Sequence, residues 1–219
     1  RAQAYEYLDI HNLDGLTGNL RKQLEVLNDY RFTDDEWERF YQQSIVNVPS
    51  DEPNSVIAKA RRIHEDYVQV LTRDDGTIKN IRLIDKTNIH RNKLQVIRQF
   101  AIDTGERKNR YDVTILVNGL PLIHIELKRR GKALREAFNQ IDRYQRDSFH
   151  AAAGDGLFGY VQIFIISNGA HTKYYSNTVR LQHLTENHGR RREVKAANAR
   201  SFEFTSWWTD AANNQIPEL

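Results

Sequence analysis

The stretch that most constrains this chain is Tyr111-Asp112-Val113-Thr114-Ile115-Leu116-Val117, then Asn118-Gly119, then Leu122-Ile123-His124-Ile125-Glu126-Leu127-Lys128. Two β-rich apolar runs flanking Asn-Gly are the strongest short-range signal for an antiparallel hairpin. Side chains alternate along a strand, so Ile123, Ile125 and Leu127 share one face, suited to a core, and His124, Glu126 and Lys128 share the other. The apolar set locks that register, because a one-residue slip would bury the charges. The place of Asp112 depends on the turn. A two-residue loop sets it opposite Ile125, on the wrong face. A three-residue loop (Asn118 to Leu120) or a bulge sets it across from Glu126. Pro121 cannot donate to the ladder and makes a regular tight hairpin less comfortable. The sequence therefore predicts a longer loop or a bulge, with the two carboxylates close together.

Such closeness needs a physical reason. Two like charges about 4 Å apart repel by roughly 4 kcal/mol at an effective dielectric near 20. A divalent cation removes the conflict, and oxygen ligands with open water positions suit Mg²⁺ or Mn²⁺. Such an ion binds a phosphate oxygen and acidifies a water. Lys128 beside it can orient or deprotonate that water, or stabilise charge on a reacting phosphate. The backbone carbonyl of Leu127 is a further candidate ligand. A bare Glu-x-Lys is most often a solvated surface pair. Here an Asp leads the preceding strand and a basic cluster, Arg129, Arg130, Lys132 and Arg135, follows at once and is suited to meeting phosphates. In the next helical stretch Gln140 and Tyr144 are four apart and share a face, suited either to a phosphate or nucleobase or to an ordinary helix–sheet contact. His124 is expected in a supporting or surface role beside Glu126.

Around this centre the chain divides by pattern. Residues 1–65 read as a helical N-terminal region packing on the core. Leu20, Leu24 and Leu27 recur at helical spacing, and Thr33 with Glu36 forms a capping-box signature ahead of Trp37, Phe40, Tyr41 and Ile45. Residues 47–54 read as a loop and Val56–Ile63 as a short helix. Residues 66–219 read as a sheet-based core, with strands over Tyr67–Thr72, Thr77–Ile84, Leu94–Ile102 (strand preferred to helix), Tyr160–Ser167 and Thr172–Ser176. Thr104–Arg110 reads as a polar loop, Ala133–Phe149 as a crossing helix, and residues 180–200 as a mobile basic loop carrying Arg190, Arg191, Arg192 and Lys195. The aromatic end, Phe202–Trp208, must pack on something.

Composition narrows the function classes. With no Cys there is no disulfide scaffold and no Cys-ligated zinc, and the eight His show no metal-ligand spacing. No run approaches the 18 or so apolar residues of a membrane span, and no signal peptide opens the chain; a setting without membrane contact is expected. A net charge of +3 is a weak pointer to nucleic acid by itself. The chain starts at Arg1 and has no Met, which reads as a fragment or a processed product.

Asp112, Glu126-Leu127-Lys128 and Gln140-Ile141-Asp142-Arg143-Tyr144 resemble the PD-(D/E)xK nuclease core with a downstream Q-x-x-x-Y motif. The longer text from Asn109 to Pro121, through Glu126-Leu127-Lys128-Arg129-Arg130-Gly131 and Glu136-Ala137-Phe138-Asn139-Gln140-Ile141, resembles the N-terminal nuclease domain of the restriction subunit of type I restriction-modification enzymes. The resemblance implies an α/β (α+β) fold, a restriction-endonuclease-like mixed sheet flanked by helices. It implies Mg²⁺-dependent cleavage of double-stranded DNA (Mn²⁺ substituting), with methylation and specificity subunits as partners. Asp112 and Glu126 would hold the metal, Lys128 would be the catalytic lysine, and Gln140 and Tyr144 would assist nuclease function and DNA contact. ATP belongs to the translocase of the full-length subunit; no phosphate-cradling G-x-x-x-x-G-K-S/T loop occurs here. Tyr111 stands where the motif name has Pro. Such cores often take a further acid from an early helix, for which Glu6, Glu25 and Glu36 are the candidates. The alternatives are a non-catalytic DNA-binding or subunit-docking module that keeps the fold, and a stand-alone structure-specific nuclease.

Overall fold

The computed structural model describes residues 5–48, 55–103, 108–145, 156–180 and 201–216. A short strand, β1 (Glu6–Tyr7), leads into helix α1 (Leu13–Asn28). Asn12 caps α1 by accepting from the Gly15 amide, and Asp29 ends it in the left-handed region at φ 47°. Leu16, Leu20, Leu24 and Leu27 of α1 are buried, the stripe expected of a helix with one apolar face. Thr33 and Glu36 form the expected capping box at the start of α2 (Asp34–Phe40), which runs on as a π turn over Tyr41–Val46. Trp37, Phe40 and Tyr41 gather with Tyr30 and Phe32 in one aromatic cluster. Helix α3 (Ser55–His64) follows. No described helix is long and apolar enough to cross a membrane.

Among the described residues, strands β2 (Val68–Thr72) and β3 (Ile78–Arg82) pair only with each other, as a separate two-stranded sheet. This hairpin is tied to the helices before it. Asn28 bonds both the amide and the carbonyl of Arg82, and Glu36 accepts from the Asp74 amide. The main sheet joins β1 to β4 (Leu94–Asp103), β5 (Lys108–Val117), β6 (Leu120–Leu127), β7 (Ile163–Ser167), β8 (Thr172–Ser176) and β9 (Ser206–Trp207). Among the described residues it has seven strands, in the order β1-β4-β5-β6-β7-β8-β9. The pairs β4–β5, β5–β6, β7–β8 and β8–β9 are antiparallel, whereas β1–β4 and β6–β7 are parallel. Helix α4 (Leu134–Tyr144) lies in the connection between the parallel pair β6 and β7. The fold is thus the mixed, helix-flanked sheet that was expected. β5 starts at Lys108, inside the stretch read as a loop, because Asn109 and Arg110 pair with Ile102 and Ala101 of β4. Residues 181–200, which hold Arg190, Arg191, Arg192 and Lys195, lie outside the described residues.

The hairpin of β5 and β6 corrects one alternative and bears out the other. Its turn has two residues, Asn118 and Gly119, at φ 51° and 85°, so the longer loop does not form. The bulge does. Val117 pairs with Leu120 and Leu116 with Pro121, but Ile115 pairs with Ile123, leaving Leu122 extra. A Cβ on Gly119 would stand 2.5 Å from the Leu20 Cα, so α1 packs backbone-close on this turn. The Asn118 side chain holds it from the other side, donating to the Leu83 carbonyl and accepting from the Lys93 amide.

Candidate active site

The β5–β6 ladder ends at the Val113–Ile125 pair. One step further, the Leu127 amide donates to Asp112 Oδ2 at 2.9 Å. On the other side of Asp112, β4 bends at Gln99, a left-handed residue (φ 55°) between the Arg98–Val113 and Phe100–Tyr111 pairs. Such a conformation is costly for a residue with a Cβ. Ile97 and Phe100 are both buried although three positions apart, so the bend exchanges the faces of β4 beside the acid.

Glu126 is fully buried, at 0% exposure. Its Oε1 accepts from Lys128 Nζ at 2.8 Å, while Oε2 is buried with no hydrogen-bond partner among the described residues. Lys128 Nζ also donates to Gln140 Oε1 at 2.5 Å. Gln140 Nε2 donates to the Tyr144 hydroxyl, which itself donates to the Arg110 carbonyl at 2.8 Å. A continuous relay therefore runs from β6 through α4 and back to β5. Gln140 and Tyr144 reach it because residues four apart lie on one helix face. Burial pushes the Tyr144 hydroxyl above the usual range, so it remains a protonated donor at neutral pH. The hydroxyl points at the sheet and not outward. Burial likewise pushes Asp112 up, and the charge of Glu126 adds to this. The Leu127 amide and Lys128 pull the other way and offset only part.

Both faces of β6 are covered: Ile125 is buried as expected, but so is the opposite face. His124 and Glu126, expected on the face away from the core, are 0% exposed, whereas Leu127, expected in the core, is 45% exposed. The rings of Tyr111, Tyr144 and Phe164 cover the His124 side. His124 is therefore no surface residue. Its Nε2 stands 3.5 Å from Glu126 Oε2, and its Nδ1 stands 3.4 Å from Oγ1 of Thr114, its cross-strand partner. Sequence reasoning passed over Thr114 and Gln99. The bulge register would have found Thr114; no sequence signal marks Gln99.

The basic cluster is laid out as a solvent-facing rim. Arg129, Arg130 and Lys132 occupy the connection after β6 and Arg135 the first turn of α4, all exposed. Arg130 donates to the Gly169 carbonyl at 3.0 Å, and the Arg135 guanidinium lies 4.4 Å over the Phe202 ring. The candidate extra acids are engaged elsewhere. Glu6 meets Gln95 and Lys93, Glu25 meets Arg21 and the Phe32 amide, and Glu36 meets Tyr30, Thr33 and Asp74. Among the described residues no group of three or more His, Asp or Glu could hold a metal ion. The protein-side donors here are the two carboxylates, with the Leu127 carbonyl adjoining. An oxygen-only set with a buried, unsatisfied carboxylate oxygen fits a hard divalent cation that keeps several waters.

Comparison with known proteins identifies the family. Residues 1–183 match the model of the family described as type I restriction enzyme R protein N terminus. The chain is 46% identical over 218 residues to the type I restriction enzyme EcoprrI endonuclease subunit of Escherichia coli, covering 99% of this chain and 62% of that protein. It is 39% identical over 224 residues to the SsaAORF53P endonuclease subunit of Staphylococcus saprophyticus, covering all of this chain and 20% of that one. A Staphylococcus aureus relative, the SauMSSORF170P endonuclease subunit, is 38% identical over 163 residues, 74% of this chain and 15% of its own length. The chain thus spans about three-fifths of one curated relative and a fifth or less of the other two. By the extent of that family match and the identity across its whole length, the chain belongs to the family of type I restriction enzyme R protein N termini.

Proposed function

We propose that this chain is the DNA-cleaving domain of a type I restriction enzyme, hydrolysing phosphodiester bonds of double-stranded DNA with Mg²⁺. The observation that carries the reading is the relay Glu126–Lys128–Gln140–Tyr144 beside the Asp112 carboxylate. It fixes a lysine ammonium next to two acids, one with an unsatisfied buried oxygen. Asp112 and Glu126 would hold the cation, with the Leu127 carbonyl as a further ligand. Bound there, the ion supplies Lewis-acid polarisation of a phosphoryl oxygen and neutralises the paired carboxylates. Lys128 directs its ammonium at the charge that develops on the phosphate. Gln140 and Tyr144 hold that ammonium in place from α4. Arg129, Arg130, Lys132 and Arg135 carry the phosphate backbone past the site, giving salt-sensitive, sequence-tolerant contact. Methylation and specificity subunits would choose the DNA, and ATP would serve the translocase of the full-length subunit.

Lys128→Ala in the assembled enzyme tests this. Cleavage is expected to fall by about 100-fold or more, with folding and ATP use intact; continued cutting contradicts the assignment. If in addition Mn²⁺ binding is absent, or is unchanged by Asp112→Asn, the chain is a non-catalytic DNA-binding or docking module.

A further inference from the structure

The relay accounts for one oxygen of Glu126. The other oxygen faces a histidine that the proposed reaction does not use. His124 and Glu126 are two apart on β6 and project to the same buried face, both at 0% exposure. Their facing atoms, Nε2 and Oε2, are 3.5 Å apart, too long for a good hydrogen bond and too short to be unrelated. The ring has little freedom. Tyr111 meets it edge-on at 5.5 Å between centroids, and Tyr144 and Phe164 do so at 6.2 Å each. Behind it, Thr114 Oγ1 lies 3.4 Å from Nδ1, directly across the β5–β6 ladder. In the tautomer protonated at Nε2, the Thr114 hydroxyl donates to Nδ1 and the Nε2–H points at Glu126. The carboxylate is then bracketed, with Lys128 on Oε1 and His124 on Oε2.

We propose that His124, held by Thr114, is a positioning residue that sets the rotation of the Glu126 carboxylate for a divalent cation. A fully buried carboxylate with a donor on one oxygen alone would turn both lone-pair edges toward Lys128. A second donor facing the other oxygen keeps an edge directed at Asp112. His124 acts in this arrangement through Glu126 and not as a ligand, in keeping with the absence among the described residues of a three-residue metal-holding group. Outer-sphere partners of this kind change metal affinity by roughly 10–100-fold when removed. The inference rests on the proposed reading of Asp112 and Glu126 as metal-holding residues.

The test is Mn²⁺ titration of the 219-residue chain by calorimetry, with thermal unfolding measured alongside. His124→Leu fills the aromatic cage without a donor and is expected to weaken Mn²⁺ binding about 10–100-fold at a melting temperature near the parent's. His124→Gln, whose amide nitrogen reaches the place of Nε2, is expected to recover most of that loss. Thr114→Val keeps the shape, removes the hydroxyl, and is expected to weaken binding several-fold; it decides the matter if His124→Leu does not fold. A folded His124→Leu or Thr114→Val that binds Mn²⁺ like the parent overturns the inference while leaving the site itself in place. Equal weakening by Leu and Gln assigns a purely structural role and overturns it too. No Mn²⁺ binding by the parent chain removes the reading of the site, and the inference with it.

Discussion

Among the described residues two glutamates are almost completely buried, Glu36 at 3% and Glu126 at 0% exposure, and their surroundings differ in kind. Glu36 joins α2 to the β2–β3 hairpin and is saturated with donors. The Tyr30 hydroxyl at 2.7 Å and the Thr33 amide at 3.1 Å meet one oxygen, and the Asp74 amide at 3.1 Å meets the other. Burial alone would push its carboxyl up; the Tyr30 hydroxyl and the two amides outweigh that and hold it below the usual range. Glu126 has one bonded oxygen and one with no hydrogen-bond partner among the described residues, His124 Nε2 standing 3.5 Å from it, beside an Asp112 whose carboxyl is raised. A carboxylate that serves the fold is satisfied by the fold. A carboxylate left short of donors in a packed interior is held there at a cost to stability, which a bound cation can offset.

Exchange of each glutamate for glutamine separates the two roles. Glu126→Gln is expected to reduce DNA cleavage in the assembled enzyme by about 100-fold or more and to leave the melting temperature of the chain unchanged or higher. Glu36→Gln is expected to leave cleavage intact at permissive temperature and to cost about 2–3 kcal/mol, the scale of hydrogen bonds to a charged acceptor. In a chain of this length that is roughly a 5–10 °C fall in melting temperature. Its pH dependence is fixed in sign. A depressed carboxyl stabilises above its unfolded-state pKa and loses that contribution as pH falls through the folded value, so the deficit of Glu36→Gln narrows in acid.

Asp112 gives the opposite sign. A raised carboxyl stabilises the fold fully only below the unfolded-state pKa, and that contribution is lost as pH rises through the folded value. Asp112→Asn is therefore expected to melt higher than the parent at pH 7 without divalent metal, an advantage that shrinks as pH falls. Added Mg²⁺ should raise the melting temperature of the parent and not of the variant. An Asn that melts lower at pH 7 would break the contrast between the two regions. The smallest expected effect is at the bend of β4. Gln99→Gly removes the Cβ from a left-handed residue and should stabilise by about 1 kcal/mol, whereas Gln99→Val should destabilise.

Local chemistry was legible in the sequence. The leucine spacing of α1, the Thr33–Glu36 capping box and the Asn118-Gly119 turn are each set by a few neighbouring residues, and each formed. The bulge was legible as one of two alternatives, because the apolar register of β6 and Pro121 disfavour a plain hairpin. Burial was not legible. Alternation says that His124 and Glu126 share a face; it does not say that α4 and three aromatic rings will cover that face, since this depends on partners 13 or more residues away. For the same reason strand propensity identified β2 and β3 but gave no hint that they pair apart from the main sheet. The aromatic end was expected to need a partner, and it found one in β8. Lys173 Nζ lies 4.4 Å over the Trp207 ring and donates to Thr205 Oγ1 at 2.8 Å.

Anomalous scattering from crystals of this chain soaked in Mn²⁺ tests most directly whether Asp112 and Glu126 hold one divalent cation between them, as proposed. A single strong peak within roughly 2.0–2.6 Å of carboxylate oxygens of both residues is the predicted result. A clean map with ordered Asp112 and Glu126 side chains and no peak between them, or a peak held by other residues, would contradict it.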